Sequence, residues 1–232
     1  MTPRRIGRNG SITYRRGAGP GGDAPDRYAD AVSLRAALVL ASASAGRLRV
    51  LQAAGIDPEV VVSGVDETAD PGLDTAALVS VLAERKASAV AARRPGALVL
   101  GCDSMLDLDR KAFGKPASPR DAIETWRQLS GRQATLYTGH CLIDAGRGRR
   151  VRDVAGTVVR FGTPSDAEVA AYVASGEPMT LAGAFSIEGR GAPFVEGIDG
   201  DPGNVIGLSL PLLRRMLAGL GVAITDLWRP PG

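Results

Sequence analysis

From residue 37 onward, short apolar runs alternate with stretches whose apolar positions recur every three or four residues, the pattern of strands interleaved with amphipathic helices. The runs at 37–41, 59–62 and 97–102 predict buried strands. Helical spacing predicts helices over 44–55, closed by Gly55, over 75–93, stopped by Pro95, over 118–129, with Gly131 just beyond, and over 166–174 and 208–220. Residues 105–109 and 112–113 predict a hairpin around Arg110-Lys111, and 133–144 with 149–161 predict two long antiparallel strands. The stretch 181–201 carries too many glycines for a simple helix or strand and reads as irregular. The order of elements gives an α/β fold with a mixed sheet and no internal repeat.

At 232 residues and 44% apolar content, the chain can bury one sizeable core, or one domain with a smaller lobe. Residues 1–35 hold seven arginines against three aspartates, so this leader carries +4 of a total of +3 and the remainder is near −1. Its glycine and proline content predicts a disordered N-terminal extension over 1–35, ahead of a domain at 36–222 and a short tail at 223–232. The near-neutral body argues against a nucleic-acid partner. No apolar run approaches the roughly 20 residues of a membrane span, and no apolar stretch marks a signal peptide, so the expectation is a cytoplasmic protein without a membrane partner. Cys102 and Cys141 lie in apolar runs and read as buried thiols. With His140 the sole histidine, neither a His-rich metal site nor a Ser/His/Asp triad is offered.

Candidate chemistry begins where the first strand runs into Ser42, Ser44, Gly46 and Arg47. Hydroxyls, small residues and an arginine at a helix start suit a phosphate, because free backbone N–H groups and the positive end of the helix dipole point there. Ser44 also reads as a simple N-cap. Asp103 follows directly on the strand ending at Cys102, and Glu67 ends the run from Val60. Ligands collect beyond the carboxyl ends of strands in α/β sheets, and two carboxylates so placed could hold Mg²⁺ or Mn²⁺. Asp103 also reads as a turn or capping residue. Lys86 shares a helical stripe with Leu78, Leu82 and Val90, so it either snorkels to solvent or meets an anion. Lys115, in Gly114-Lys115-Pro116, is a weaker candidate that an ordinary turn would also explain. In the Gly-rich stretch Glu188 could accept hydrogen bonds from a base edge or be a solvated loop acid, while Asn204 or Asp201 could face the cleft.

Taken together, the segments resemble the Maf family of nucleoside triphosphate pyrophosphatases over about 38–220. The carriers include Leu-Ala-Ser-Ala-Ser-Ala-Gly-Arg ending at Arg47, Val65-Asp66-Glu67, Ala83-Glu-Arg-Lys86, Gly101-Cys-Asp103-Ser104, Gly114-Lys115-Pro116, Tyr137-Thr-Gly139, Tyr172-Val-Ala-Ser-Gly-Glu177-Pro178, and Gly183-Ala-Phe-Ser-Ile-Glu188-Gly-Arg190-Gly191. The resemblance implies an elongated α/β fold with two lobes around a cleft, a divalent-metal requirement, and hydrolysis of a nucleoside triphosphate to monophosphate and pyrophosphate, a house-cleaning reaction on surplus or non-standard nucleotides. It places Asp103 as general base and metal ligand, Glu67 as metal and substrate ligand, and Ser42, Ser44, Arg47, Lys86, Ser104, Lys115 and Glu188 on the substrate. Two departures bear on substrate choice. Ser44-Ala45-Gly46-Arg47 replaces the usual Ser-Pro-Arg-Arg, and Ser104 and Glu188 stand where members acting on dTTP and UTP carry Thr and Gln. A second class of function is a nucleotide-binding regulatory module linked to cell division, in which turnover is incidental; the retention of Asp103, Lys86 and Lys115 favours the enzyme. The sequence leaves open a homodimer and the base preferred.

Overall fold

The computed structural model describes residues 37–68 and 72–230; the expected extension at 1–35 lies outside them. One seven-stranded mixed sheet organises the chain in the order β2-β1-β3-β5-β6-β7, with β4 also on β3. The strands are β1 (Leu38–Leu40), β2 (Glu59–Val60), β3 (Leu98–Leu108), β4 (Lys111–Phe113), β5 (Gln133–Asp144), β6 (Arg149–Phe161) and β7 (Val195–Asp199). The helices are α1 (Ala45–Ala53), α2 (Thr75–Ala91), α3 (Pro119–Leu129), α4 (Asp166–Ala174), α5 (Pro202–Ile206) and α6 (Leu210–Gly219). β1 pairs in parallel with β2 and β3, and every later pairing is antiparallel. The α/β mixed sheet is therefore as the pattern predicts.

Three elements differ from the sequence expectation. The runs at 97–102 and 105–109 are one continuous strand, because Leu98 to Asp107 pair residue for residue with β5. The 181–201 stretch is not irregular throughout. After two short 3₁₀ turns it enters β7, whose Ile198 and Asp199 pair with Val159 and Val158. The final helical stretch is preceded by a separate short helix, α5, which ends at Gly207 with φ of 117°, a conformation L side chains avoid. Residues expected as a tail are tied back as far as Arg229, whose backbone N–H donates to Gly55 O at 2.8 Å.

The helix starts follow from local chemistry. Ser44, Asp74, Ser118, Ser165 and Ser209 each accept a backbone N–H from the first turn of the helix they precede, each worth on the order of 1 kcal/mol over alanine. Among the described residues no helix is long and apolar enough to cross a membrane.

Period-two alternation along β3 decides where the cores lie. Leu98, Leu100 and Cys102 join a cluster with Leu51 of α1 and Leu213 and Leu217 of α6. On the same face, Leu106 and Leu108 belong to a second cluster built on Trp126, Phe161 and Tyr172. Trp126 meets Phe161, Tyr172 and Phe194 edge-on at centroid distances of 5.7, 6.0 and 5.6 Å and donates its indole N–H to Ala184 O at 2.8 Å. Ser104, between Cys102 and Leu106, is the polar gap separating the two clusters, opposite Thr138 of β5.

The other face of β3 and β5 carries α2, which lies directly on the strand backbone. A Cβ on Gly101 would overlap the Ala83 carbonyl oxygen and lie 2.7 Å from Ala87 N; one on Gly139 would overlap the Val79 carbonyl and lie 2.7 Å from Ser80 N. Gly101 against Ala83 and Ala87, and Gly139 against Val79 and Ser80, thus set how close this helix comes to the sheet.

The buried His140 ties the first core to the last helix. Its Nε2 accepts the Ser209 backbone N–H at 3.0 Å, so Nδ1 carries the proton and donates to Thr138 O at 3.0 Å. Burial pulls its pKa down from the ordinary 6.5 to about 4. The unfolded chain takes up this proton below about pH 6.5 and the folded chain only near pH 4. The stability from His140 is thus complete above pH 6.5 and lost as pH falls to 4, by up to about 3 kcal/mol. The expected outcome is that denaturant midpoints fall more between pH 7.5 and 4.5 for the native chain than for His140→Gln; equal falls would contradict it. Cys102 and Cys141 are free and buried, with thiols pushed up by burial to about 11 and about 12.

Candidate active site

The sheet itself creates the cleft. One edge of β3 is fully occupied by β5; along the other, β1 covers Leu98 to Leu100 and β4 covers Leu106 to Leu108. The interval from Gly101 to Met105 has no strand beside it, and Asp103 sits at its centre. Beyond the carboxyl end of β1 this gap opens into a cleft of about 780 Å³, within the size range of small-molecule sites. Ser42, Ser44, Arg47, Glu67, Lys86, Asp103, Ser104, Lys115 and Glu188 all line it.

Two placements differ from the sequence reading. Asp103 is in mid-strand rather than past a strand end, and it overhangs because its neighbour β1 stops at Leu40. Glu67 is not at a strand end either: β2 stops at Val60, and Glu67 comes from the extended segment that follows.

On the α2 face, Lys86 neither snorkels nor waits for an external anion. Its Nζ lies 2.6 Å from Asp103 Oδ1 and 2.7 Å from Glu67 Oε1. The Lys86 and Asp103 side chains are 8% exposed and Glu67 is 55% exposed, so the ion pair is buried on its Asp103 side and open on the other. Partial burial pushes the Glu67 carboxyl up, but the Lys86 hydrogen bond and charge, with the Lys115 and Arg47 charges, outweigh it and hold the pKa below the ordinary value. Two carboxylates against one ammonium leave the cluster net negative. Among the described residues no third His, Cys, Asp or Glu joins them in a metal-holding group. This donor set fits Mg²⁺ or Mn²⁺, hard cations commonly held by one or two carboxylates together with phosphate oxygens.

The opposite wall is built on Arg47, buried at 8% exposure. Its Nε donates to Gly207 O at 2.9 Å, Nη1 to Ser42 Oγ at 2.9 Å and Nη2 to Ser104 Oγ at 3.0 Å. All three acceptors are neutral. A buried guanidinium hydrogen-bonded but not charge-paired is poised for an anion. Ser44 is the N-cap of α1, its Oγ 3.4 Å from Arg47 N, and Ser42 Oγ also accepts Ser44 N at 3.2 Å. Ser104 contacts Thr138 Oγ1 at 2.9 Å, and Thr138 donates on to Asn204 O at 3.1 Å. In this structure, therefore, Ser42, Ser44 and Ser104 shape the first helical turn and aim Arg47.

Asn204 and Asp201 do not serve the cleft. Asn204 is fully buried and donates to Leu136 O and Thr157 Oγ1, both at 3.1 Å, while Asp201 caps α5 through Gly203 N. Lys115 is exposed on the loop after β4, whose Gly114 carbonyl accepts from Gly183 N at 2.9 Å. Glu188 pairs with Arg49 of α1 at 2.7 Å across the mouth. Sequence reasoning missed Arg49, Thr138 and Gly207. Thr138 carried a signal in its neighbour Gly139; Arg49 carried none beyond its charge.

Comparison with known proteins gives the family. A family model described as Maf-like protein matches residues 37–220. A nucleoside triphosphate pyrophosphatase of Streptomyces coelicolor is 60% identical over 198 residues, covering 84% of this chain and 96% of that protein. Proteins of the same name from Streptomyces avermitilis and Gloeothece citriformis are 58% and 49% identical, covering 84% and 82% of this chain and 96% and 97% of their own length. The match runs through every element that walls the cleft, and the chain belongs to the Maf family.

Proposed function

We propose that this chain hydrolyses a nucleoside triphosphate to the monophosphate and pyrophosphate. The observation that carries this reading is the convergence on one cleft of Asp103, Glu67 and three cations, Arg47, Lys86 and Lys115, with Arg47 hydrogen-bonded to neutral acceptors alone among the described residues. The relatives named nucleoside triphosphate pyrophosphatase support it.

Phosphoryl chemistry asks mainly for positioning and for charge opposite the phosphate oxygens. Arg47 and the free N–H groups at the start of α1 hold one end of the triphosphate, and Lys115 approaches from the facing loop. Asp103 orients a water toward the α-phosphorus. The water oxygen bonds to that phosphorus, its proton passes to an Asp103 carboxylate oxygen, and the bond from the α-phosphorus to its bridging oxygen breaks, with pyrophosphate leaving. Lys86 holds the Asp103 carboxylate in place in its buried setting. An isolated aspartate of pKa near 3.9 is a weak base at neutral pH. Glu67 and Asp103 would hold a divalent cation, which when bound supplies charge to the phosphate oxygens and acidifies water. The test is a panel of standard and modified nucleoside triphosphates with Mg²⁺ or Mn²⁺, read for pyrophosphate. Pyrophosphate with monophosphate is expected; orthophosphate with diphosphate as sole products would overturn the proposal.

A further inference from the structure

One wall of the cleft is the loop bearing Leu181, Phe185, Ile187 and Glu188, an apolar surface with one acid at its rim. On the proposed reading that Arg47 and Lys115 take the triphosphate, this apolar wall is the one left to face a nucleobase, and the inference rests on that reading. The loop's first half is held by Gly183 N to Gly114 O and by Trp126 to Ala184 O, and its second half by a residue outside the cleft lining. Glu177, in the 3₁₀ turn Glu177–Thr180 after α4, accepts the Gly191 N–H on Oε1 and the Arg190 N–H on Oε2, each at 3.0 Å. One carboxylate thereby satisfies two successive N–H groups of the turn Gly189–Phe194, to which Glu188 is the N-cap residue.

Two glycines leave the room this contact needs. Gly189 has φ of 63°, and a Cβ there would lie 2.8 Å from Glu177 Oε2. A Cβ on Gly191 would lie 2.5 Å from the Tyr172 hydroxyl. From the front, Glu188 is held by Arg49 through a pair whose side chains are 60% and 45% exposed, too open to fix the loop unaided. We propose that Glu177 is the positioning residue of the base-side wall, its carboxylate clamping the backbone of Arg190 and Gly191 so that Glu188 and its apolar neighbours face the nucleobase.

A base-side clamp and a general structural role separate when a full nucleotide is compared with a ligand lacking the base. Calorimetry would measure Kd for the α,β-methylene analogues of GTP and UTP, one purine and one pyrimidine, and for inorganic tripolyphosphate, on the full chain. In Glu177→Ala the Kd of the tighter-binding analogue is expected to rise about tenfold while that of tripolyphosphate stays within twofold, and amide exchange at Arg190 and Gly191 is expected to accelerate. Gly189→Ala, which wedges the same contact apart from the other side, is expected to show the same split and decides the matter if Glu177→Ala fails to fold. Equal weakening of both ligands, unchanged nucleotide affinity, or unchanged exchange at the two amides would overturn the clamp. A native chain that binds the analogues yet releases no pyrophosphate would sink the proposed reaction and leave the clamp standing; one that binds no nucleotide would overturn both.

Discussion

Asp103→Asn is expected to lower kcat for pyrophosphate release by on the order of 10³-fold, the range of a lost general base, while the thermal midpoint stays within a few degrees. The replacement keeps the shape and an oxygen that can accept from Lys86 Nζ, now 2.6 Å from Oδ1. It removes the two properties the reaction uses, a carboxylate that takes a proton and a negative charge that helps hold a divalent cation. The ammonium of Lys86 keeps a carboxylate partner in Glu67 at 2.7 Å, so no buried charge is orphaned. Steady-state pyrophosphate release and a melting curve on the same preparation check both halves. Activity within threefold of the native chain would take Asp103 out of the reaction.

The second large effect is expected at Lys86. Lys86→Met retains length and apolar stem but leaves Asp103, 8% exposed, without its counter-charge. Losing one partner of a buried ion pair costs about 3 kcal/mol or more, and a general base left unheld lowers kcat/KM by roughly 10²- to 10³-fold. Glu67 reports the cause. Burial pushes its carboxyl up and Lys86 is the chief opposing influence, so the Glu67 pKa is expected to rise in the variant, measurable by carboxyl-carbon NMR titration. If Lys86 only filled space, methionine would stabilise the fold and leave Glu67 where it was.

How much of this could be read from the chain divides along local and non-local lines. Helix starts were readable, because a capping serine and the stripe that follows lie within one turn of each other, as at Ser118 and Ser165. The long pair β5 and β6 was readable from two apolar runs separated by a short turn. The continuity of β3 was not, since Asp103 and Ser104 interrupt its apolar run and only pairing with Gly139 and Thr138 keeps it extended. β7 escaped for a similar reason: Gly197 at its centre and the glycines before it mask a strand that exists because β6 offers an edge.

The same division holds in the cleft. Arg47, Lys86 and Asp103 stood out because each places a charge on or beside an apolar element. That Lys86 would find its anions inside the protein depended on Gly101 and Gly139 letting α2 rest on the sheet, a contact between segments with no shared local signal. The Arg47 network spans 160 residues to Gly207, and Glu177 reaches Gly191 across 14. Neither partner's sequence surroundings announce the other.

Hydrolysis in ¹⁸O-labelled water, with the products separated and weighed by mass spectrometry, reads directly which phosphorus the cleft presents to Asp103. One ¹⁸O in the nucleoside monophosphate and none in the pyrophosphate is the predicted result. Label in pyrophosphate, or release of labelled orthophosphate instead, would mean that the cations of this cleft hold the chain of phosphates in a different register.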